Sequence, residues 1–315
     1  MAMRVALMIE GQEDVTWDEW QALARACEDG GYDALFRSDH YMSLMGHPPR
    51  AALDAWATLS ALAAATSTLR LGTLVSPATF RHPSELAKVV TTVDHVSAGR
   101  VELGMGAGWN EREHAAYGFP FPELGERFDR LEEQVEVVRR SMSEDVVDFA
   151  GEHYRLESLE ARPRPVQTPV PLLIGGGLGS RSARLAARWA DEYNSIGAGV
   201  AELPERRARL EHACRDAGRD PIPLSIMTGT IVGRDRDEVA ERARAVVGRI
   251  SADLDVDEFL ASRRDSWIIG TVDEVVERIR AYEAVGVSRV MLQHLDHRDL
   301  DAVGLIAHQV IPAVR

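Results

Sequence analysis

The sequence predicts one α/β domain over residues 1–315, a closed (β/α)8 barrel with two insertions. Short runs of buried-strand character alternate with longer amphipathic helical patterns along the whole chain. The connections are mostly short, as expected where helices join parallel strands. About eight such units fit the length, the number that closes a barrel; an open doubly wound sheet is the architectural alternative.

In order, Val5–Ile9 reads as a buried strand, and a helix from about Trp17 to Asp29 stops at Gly30-Gly31. The strand Ala34–Phe36, a helix from Trp56 to Ala65 and the strand Leu69–Val75 follow. Pro83 opens a helix that ends near Ser97, ahead of Gly99 and the strand Arg100–Met105. A long helix from about Gly125 to Met142 carries Leu131, Val135 and Val138 on one face. The second half predicts strands at Val170–Ile174, Glu192–Ile196, Leu224–Val232 and Val290–Gln293. Helices are expected at Ser180–Ala190, Leu203–Asp216, Asp235–Ile250 and Val272–Val285, with a closing helix to about Val310. Residues 144–171, with a small hairpin, and residues 251–265 are too long for plain loops and form the two insertions. Long βα loops shape the pocket of a barrel, and surface elaboration is the plain alternative.

Thirty-six basic against 50 acidic residues give a formal charge of -14. That excludes a surface built to grip nucleic acid or an anionic membrane. Lys88 is the single lysine, so arginine enrichment reads as compositional bias rather than as a patch. Cys27 and Cys214 fall on helical stretches, which excludes a disulfide framework and a thiolate zinc cluster. No apolar run is long enough for a signal peptide or a bilayer span, so a cytoplasmic protein is expected.

Chemistry in a barrel gathers where strands end. The second strand ends in Asp39-His40, a carboxylate beside a group that exchanges protons near neutral pH, although the dipeptide alone is weak evidence. The third ends before Pro77, which cannot donate to a ladder. The fourth ends in Gly104-Met-Gly106-Ala107-Gly108-Trp109-Asn110, whose glycines suit either a tight turn or a ligand lying against bare backbone. The fifth ends in Gly175-Gly176-Gly177-Leu-Gly179-Ser180 at a helix start. Free amides and the helix dipole there make an anion site, with Ser180 as a candidate cap. Glu10, at the end of the first strand, is a pocket acid or, with Glu13 and Asp14, part of a solvated loop. His294 and His297 invite a metal reading, but an Asp-rich helix start is the plainer one. No metal site is expected, which leaves a metal-dependent hydrolase a distant reading. His82, His95 and His114 read as structural.

The ordered set Gly72-Thr-Leu-Val-Ser-Pro, Arg81-His-Pro, Gly99-Arg-Val-Glu-Leu-Gly-Met-Gly-Ala-Gly-Trp-Asn and Ile174-Gly-Gly-Gly resembles the bacterial luciferase-like flavin and deazaflavin oxidoreductases. Gly125-Glu-Arg-Phe-Asp-Arg-Leu-Glu-Glu and Gly270-Thr-Val-Asp-Glu-Val-Val-Glu-Arg-Ile extend the similarity over nearly the whole chain. It is most similar to the branch that uses coenzyme F420, an 8-hydroxy-5-deazaflavin. The resemblance implies a ring at the barrel mouth and its phosphate on Gly175, Gly176 and Gly177. It implies Asp39 at the ring's polar edge, His40 as the catalytic residue facing the reacting side, and a cis peptide at Leu74–Val75 against the ring. Gly106, Ala107 and Gly108 would lie near the ring, with Asn110 a polar contact.

Where the family's sugar-phosphate dehydrogenases carry a glutamate implicated in acid chemistry, this chain has Trp109, an aromatic wall for ring or substrate, or a packing residue at the rim. That departure puts sugar-phosphate chemistry in doubt. The expected function is hydride transfer between reduced F420 and a small organic substrate, with reduced cofactor supplied by a separate enzyme and the chain forming a homodimer. The alternatives are a two-component monooxygenase using reduced FMN and oxygen, and a non-catalytic flavin-binding protein. Substrate choice is expected to depend on Met42 to Pro49 and on the two insertions.

Overall fold

The computed structural model describes residues 2–44, 50–250 and 254–315. Eight parallel strands close a barrel: β1 (Arg4–Ile9), β2 (Ala34–Arg37), β3 (Arg70–Thr73), β4 (Val101–Gly106), β5 (Leu172–Gly176), β6 (Glu192–Ile196), β7 (Leu224–Gly233) and β8 (Val287–Gln293). Pairing of β1 with β8, from Arg4 opposite Arg289 to Met8 opposite Gln293, completes the ring and rules out the open sheet. That register sets the ends of β1 and β8 side by side at the mouth. Helices cover the outside, several with starts written in the sequence. Thr16 caps the helix Trp17–Asp29 in a reciprocal box with Glu19, and His82 precedes Pro83 at the start of Pro83–Val96.

Met8, Ala34, Phe36, Leu74, Leu173 and Met291 fill the barrel interior, while the larger core lies between strands and helices. The N-terminal floor is ionic. Arg289 is fully buried, with Nη2 2.8 Å from Glu102 Oε2 and 2.9 Å from Glu192 Oε1, and its guanidinium lies over the Phe36 ring. Burial opposes ionisation of Glu102, but Arg289 and Arg70 outweigh it and hold the carboxyl down to about 2.

Both insertions correct an expectation. The first does form a hairpin, Val147–Ala150 with Arg155–Leu159, but it follows the helix Leu124–Ser143 and therefore belongs to an αβ connection. Glu133 of that helix accepts the backbone N–H groups of Glu152, His153 and Tyr154, fixing the turn to the barrel's outside. The second contains a helix, Val256–Arg263, and runs into a strand not foreseen, Ile268–Thr271, which extends the outer half of β7. Among the described residues, neither insertion lines the cavity at the mouth. A short helix missed by the sequence reading, Glu111–Tyr117, lies instead between β4 and Leu124–Ser143. Among the described residues, no helix is long and apolar enough to cross a membrane.

Candidate active site

A cavity of about 740 Å³ opens at the C-terminal ends of the strands. Its lining comes from every barrel strand or the turn after it: Glu10, His40, Val75, Trp109, Gly175, Ile196, Met227 and Gln293 are examples. A space of this size takes a planar cofactor together with a small substrate. Of the residues singled out from sequence, His40, Leu74, Val75, Gly106, Ala107, Gly108, Trp109, Gly175, Gly176 and Gly177 meet here. Residues 45–49, part of the segment expected to set substrate choice, lie outside the described residues.

His40 has a carboxylate partner that the sequence reading missed. Its Nδ1 lies 2.6 Å from Oε2 of Glu113, 73 residues away, and the other oxygen of Glu113 accepts Tyr41 N–H at 2.5 Å. Glu113 is fully buried, so this bond sits in a low dielectric. Burial alone would lower the His40 pKa, but the Glu113 hydrogen bond and charge raise it above the ordinary value. With Nδ1 held from behind, Nε2 is the nitrogen left to serve the cavity. Asn110 caps the helix Glu111–Tyr117 by accepting Glu113 N–H, so the helix start was legible in the sequence, but nothing local in it pairs Glu113 with His40.

Asp39 and Asn110 stand behind the wall rather than on it. The Asp39 carboxylate, 1% exposed, accepts from Ser76 Oγ at 2.7 Å and from Arg81 Nη1 at 2.6 Å. Ser76 in turn accepts from Trp56 Nε1, so Asp39 and Arg81 brace the turn after β3. The Asn110 side chain is occupied as the helix cap. Trp109 is 65% exposed and meets His40 edge to face, with ring centroids 5.9 Å apart.

The peptide between Leu74 and Val75 is cis, as expected from the resemblance. Val75 also explains the glycines. A Cβ on Gly104, Gly106 or Gly175 would come within 3.0, 2.6 or 2.8 Å of its side chain, and on Gly104 within 2.2 Å of Thr73 O. The turn therefore seats on bare backbone of β4 and β5, and that packing accounts for much of the glycine pattern. Gly108, with φ +78°, needs glycine for its conformation as well.

At the end of β5, Gly176 has φ +154°, and a Cβ on Gly177 would meet nothing within 4 Å. Tyr193 Oη accepts Leu178 N–H at 2.9 Å and lies 3.1 Å from Ser182 Oγ, while Arg209 donates to Leu178 O. These bonds fix the loop from below. Gly179, not Ser180, caps the helix Ser180–Trp189, and without a side-chain bond, because Ser180 already lies in the first turn. The helix-start amides are thus left to a ligand.

The remaining candidates separate cleanly. Glu10 lines the cavity. Glu13 belongs to no solvated loop: it is 2% exposed and accepts from Ser43 Oγ, Leu44 N–H and Arg50 Nη1. His294 and His297 are buried. Burial lowers the pKa of His294, and burial with Arg249 brings His297 to about 4. Among the described residues, no group of three metal-ligating side chains is present. His82, His95 and His114 have structural bonds, to Ser84, Arg164 O and Thr79.

Residues 3–289 match the family model described as luciferase-like monooxygenase. An F420-dependent glucose-6-phosphate dehydrogenase of Segniliparus rotundus is 30% identical, and the match covers 92% of each chain. In fold, the chain is similar to an F420-dependent secondary alcohol dehydrogenase in complex with an F420-acetone adduct, with TM-score 0.84, 22% identity and full coverage of both chains. It is also similar to the monooxygenase RslO1 from Streptomyces bottropensis, with TM-score 0.83, 22% identity and coverage of 98% and 99%. With that extent of match and this barrel, the chain belongs to the luciferase-like monooxygenase family.

Proposed function

We propose that the protein is an oxidoreductase that moves a hydride between coenzyme F420 and a small organic substrate in the barrel mouth. The observation that carries the reading is the His40–Glu113 pair on the wall of a large, mainly apolar cavity that ends in a glycine loop. The F420-dependent relative, matched over 92% of this chain, favours a deazaflavin over a flavin. The residues present fit such a group: Leu74, Val75 and Gly106 to Gly108 offer a flat wall. Gly175 to Gly177 and a helix start without a side-chain cap offer amides to a phosphate. When bound, the deazaflavin supplies or takes up the hydride at C5.

The chain's own part is orientation, exclusion of water and proton handling. Nε2 of His40 gives or takes the proton, and Glu113 holds the ring in one tautomer and stabilises its protonated form. Asp39 acts through Ser76 and Arg81 by holding the wall in place. Trp109, edge-on to His40, bounds the substrate space. Reduced cofactor would come from a separate enzyme, and the chain would act as a homodimer.

Anaerobic titration with reduced F420 and reduced FMN tests the cofactor. Saturable F420 binding with single-turnover oxidation in the presence of substrate is expected. Tight FMN binding with oxygen-dependent product would overturn the reading in favour of a monooxygenase, and F420 binding without turnover would favour a silent binder. Replacing His40 by Ala should slow the single turnover about 10²- to 10⁴-fold with a much smaller effect on cofactor affinity. Unchanged transfer would remove His40 from its role.

A further inference from the structure

Where β1 and β8 end, the polar edge of the cavity offers hydrogen-bond acceptors, which specifies what a substrate must carry. Glu10 at the end of β1 and Gln293 at the end of β8 both line the cavity. Glu10 Oε1 accepts from Gln293 Nε2 at 2.5 Å, and Oε2 accepts from Gln12 Nε2 at 2.8 Å. Both partners are neutral amides. A glutamine that donates its Nε2 to Glu10 has its carbonyl oxygen left to offer. Ser38, beside them, donates to Gln12 Oε1 and accepts Gly11 N–H, so its hydroxyl is already engaged.

Among the described residues, no lysine or arginine lines the cavity. Arg37 and His40 both feel the Glu10 charge. Arg37 is buried behind the wall, donating to the carbonyls of Ser38 and Leu53, and His40 is held by Glu113. Much of the remaining wall is apolar, including Leu74, Trp109, Phe128, Ile196 and Met227. A carboxylate in such surroundings is stabilised by a donor or a cation and repels a second anion.

We infer that Glu10 and Gln293 form a recognition subsite for a hydrogen-bond-donating head group, ammonium ahead of hydroxyl, on an otherwise apolar substrate, and that the same subsite rejects anions. This rests on the proposed oxidoreductase reading and gives it a substrate class. It also sets the chain apart from sugar-phosphate chemistry, because the Glu10 carboxylate at the subsite would repel a second anion.

Benzylamine, benzyl alcohol and benzoate share one ring and differ in head group. Equilibrium titration of each into the full-length protein at neutral pH, with and without bound F420, tests the subsite. Benzylamine should bind best, with benzoate at least about ten-fold weaker. Glu10→Gln keeps the side-chain shape and should weaken benzylamine about ten-fold while leaving benzyl alcohol within about three-fold. Gln293→Leu keeps the carboxylate and should weaken benzyl alcohol while preserving the preference for benzylamine over benzoate. Benzoate binding as tightly as benzylamine to the unaltered protein, or an unchanged order in a folded Glu10→Gln variant, would overturn the subsite. F420 binding is followed separately by the cofactor's own fluorescence. A protein that ignores F420 yet prefers benzylamine overturns the cofactor reading alone, whereas one that binds F420 and prefers benzoate overturns the subsite alone.

Discussion

At the N-terminal floor of the barrel, Arg289 is enclosed by Glu102, Glu192 and Asp33, with Arg70 and Arg4 reaching the same carboxylates from outside. At the mouth, Glu10 has two neutral amides for partners, and His40 faces the cavity with a single carboxylate behind it. The floor matches each buried charge with an opposite one, and nothing there is left for a ligand. The mouth leaves capacity unmatched. A barrel needs both: charge compensated within the fold resists opening, and charge left partly uncompensated is available to chemistry.

The sharpest way to break this contrast is to remove the centre of the floor. Arg289→Met should cost about 3–5 kcal/mol, because Glu102 and Glu192 would be left buried without their main partner. Denaturant unfolding would measure it, and cofactor affinity under stabilising conditions should change little. The floor also has a pH signature. Glu102 is held down to about 2, below its ordinary value of 4.5, so its contribution is complete above about pH 4.5 and is lost as the pH falls toward 2. In a Glu102→Gln variant, the dependence of stability on pH should be shallower across that window. A loss at the mouth instead, with stability unchanged, would reverse the roles given to the two ends.

At the mouth, Glu113→Gln should keep the fold and cofactor affinity while slowing turnover about 10- to 100-fold. Its diagnostic is the pH profile. Glu113 raises the His40 pKa against the opposing effect of burial, so the limb that reports His40 should move to lower pH in the variant. A slower enzyme with an unmoved limb would reduce Glu113 to a packing residue.

This difference between the ends also explains what could be read from the sequence. The barrel was legible because alternating strand and helix patterns are local, and the strand-end glycines and Asp39-His40 are local too. The Arg289 cluster was not, since Val-Ser-Arg-Val shows a strand residue but not the three carboxylates that three other parts of the chain bring near it. Glu113 sat in Glu-Arg-Glu, which reads as a solvated helix face until the helix turns that residue inward onto His40. Asp39 misled for the opposite reason: adjacency in sequence placed it beside His40, yet on a strand end successive side chains diverge, and it went to Arg81. The hairpin was recognised but set at the wrong end, although its place between the helix ending near Met142 and the strand from Val170 already made it an αβ connection on the face away from the mouth.

The glycines carry the smallest effects and divide along the same line between holding the fold and meeting a ligand. A Cβ on Gly104 would lie 2.2 Å from Thr73 O, a backbone atom with little room to move, whereas one on Gly177 would meet nothing within 4 Å. Gly104→Ala should therefore lower stability by about 1–3 kcal/mol. Gly177→Ala should change stability by less than about 0.5 kcal/mol, since neither contact nor conformation opposes the methyl. Its effect belongs in the cavity, where the methyl would project beside the amides proposed to hold the phosphate. Thermal unfolding paired with F420 titration separates the two variants. A folded Gly177→Ala protein with unaltered F420 affinity would move the phosphate away from this loop, while equal destabilisation by both substitutions would show that the loop, like the floor, serves the fold.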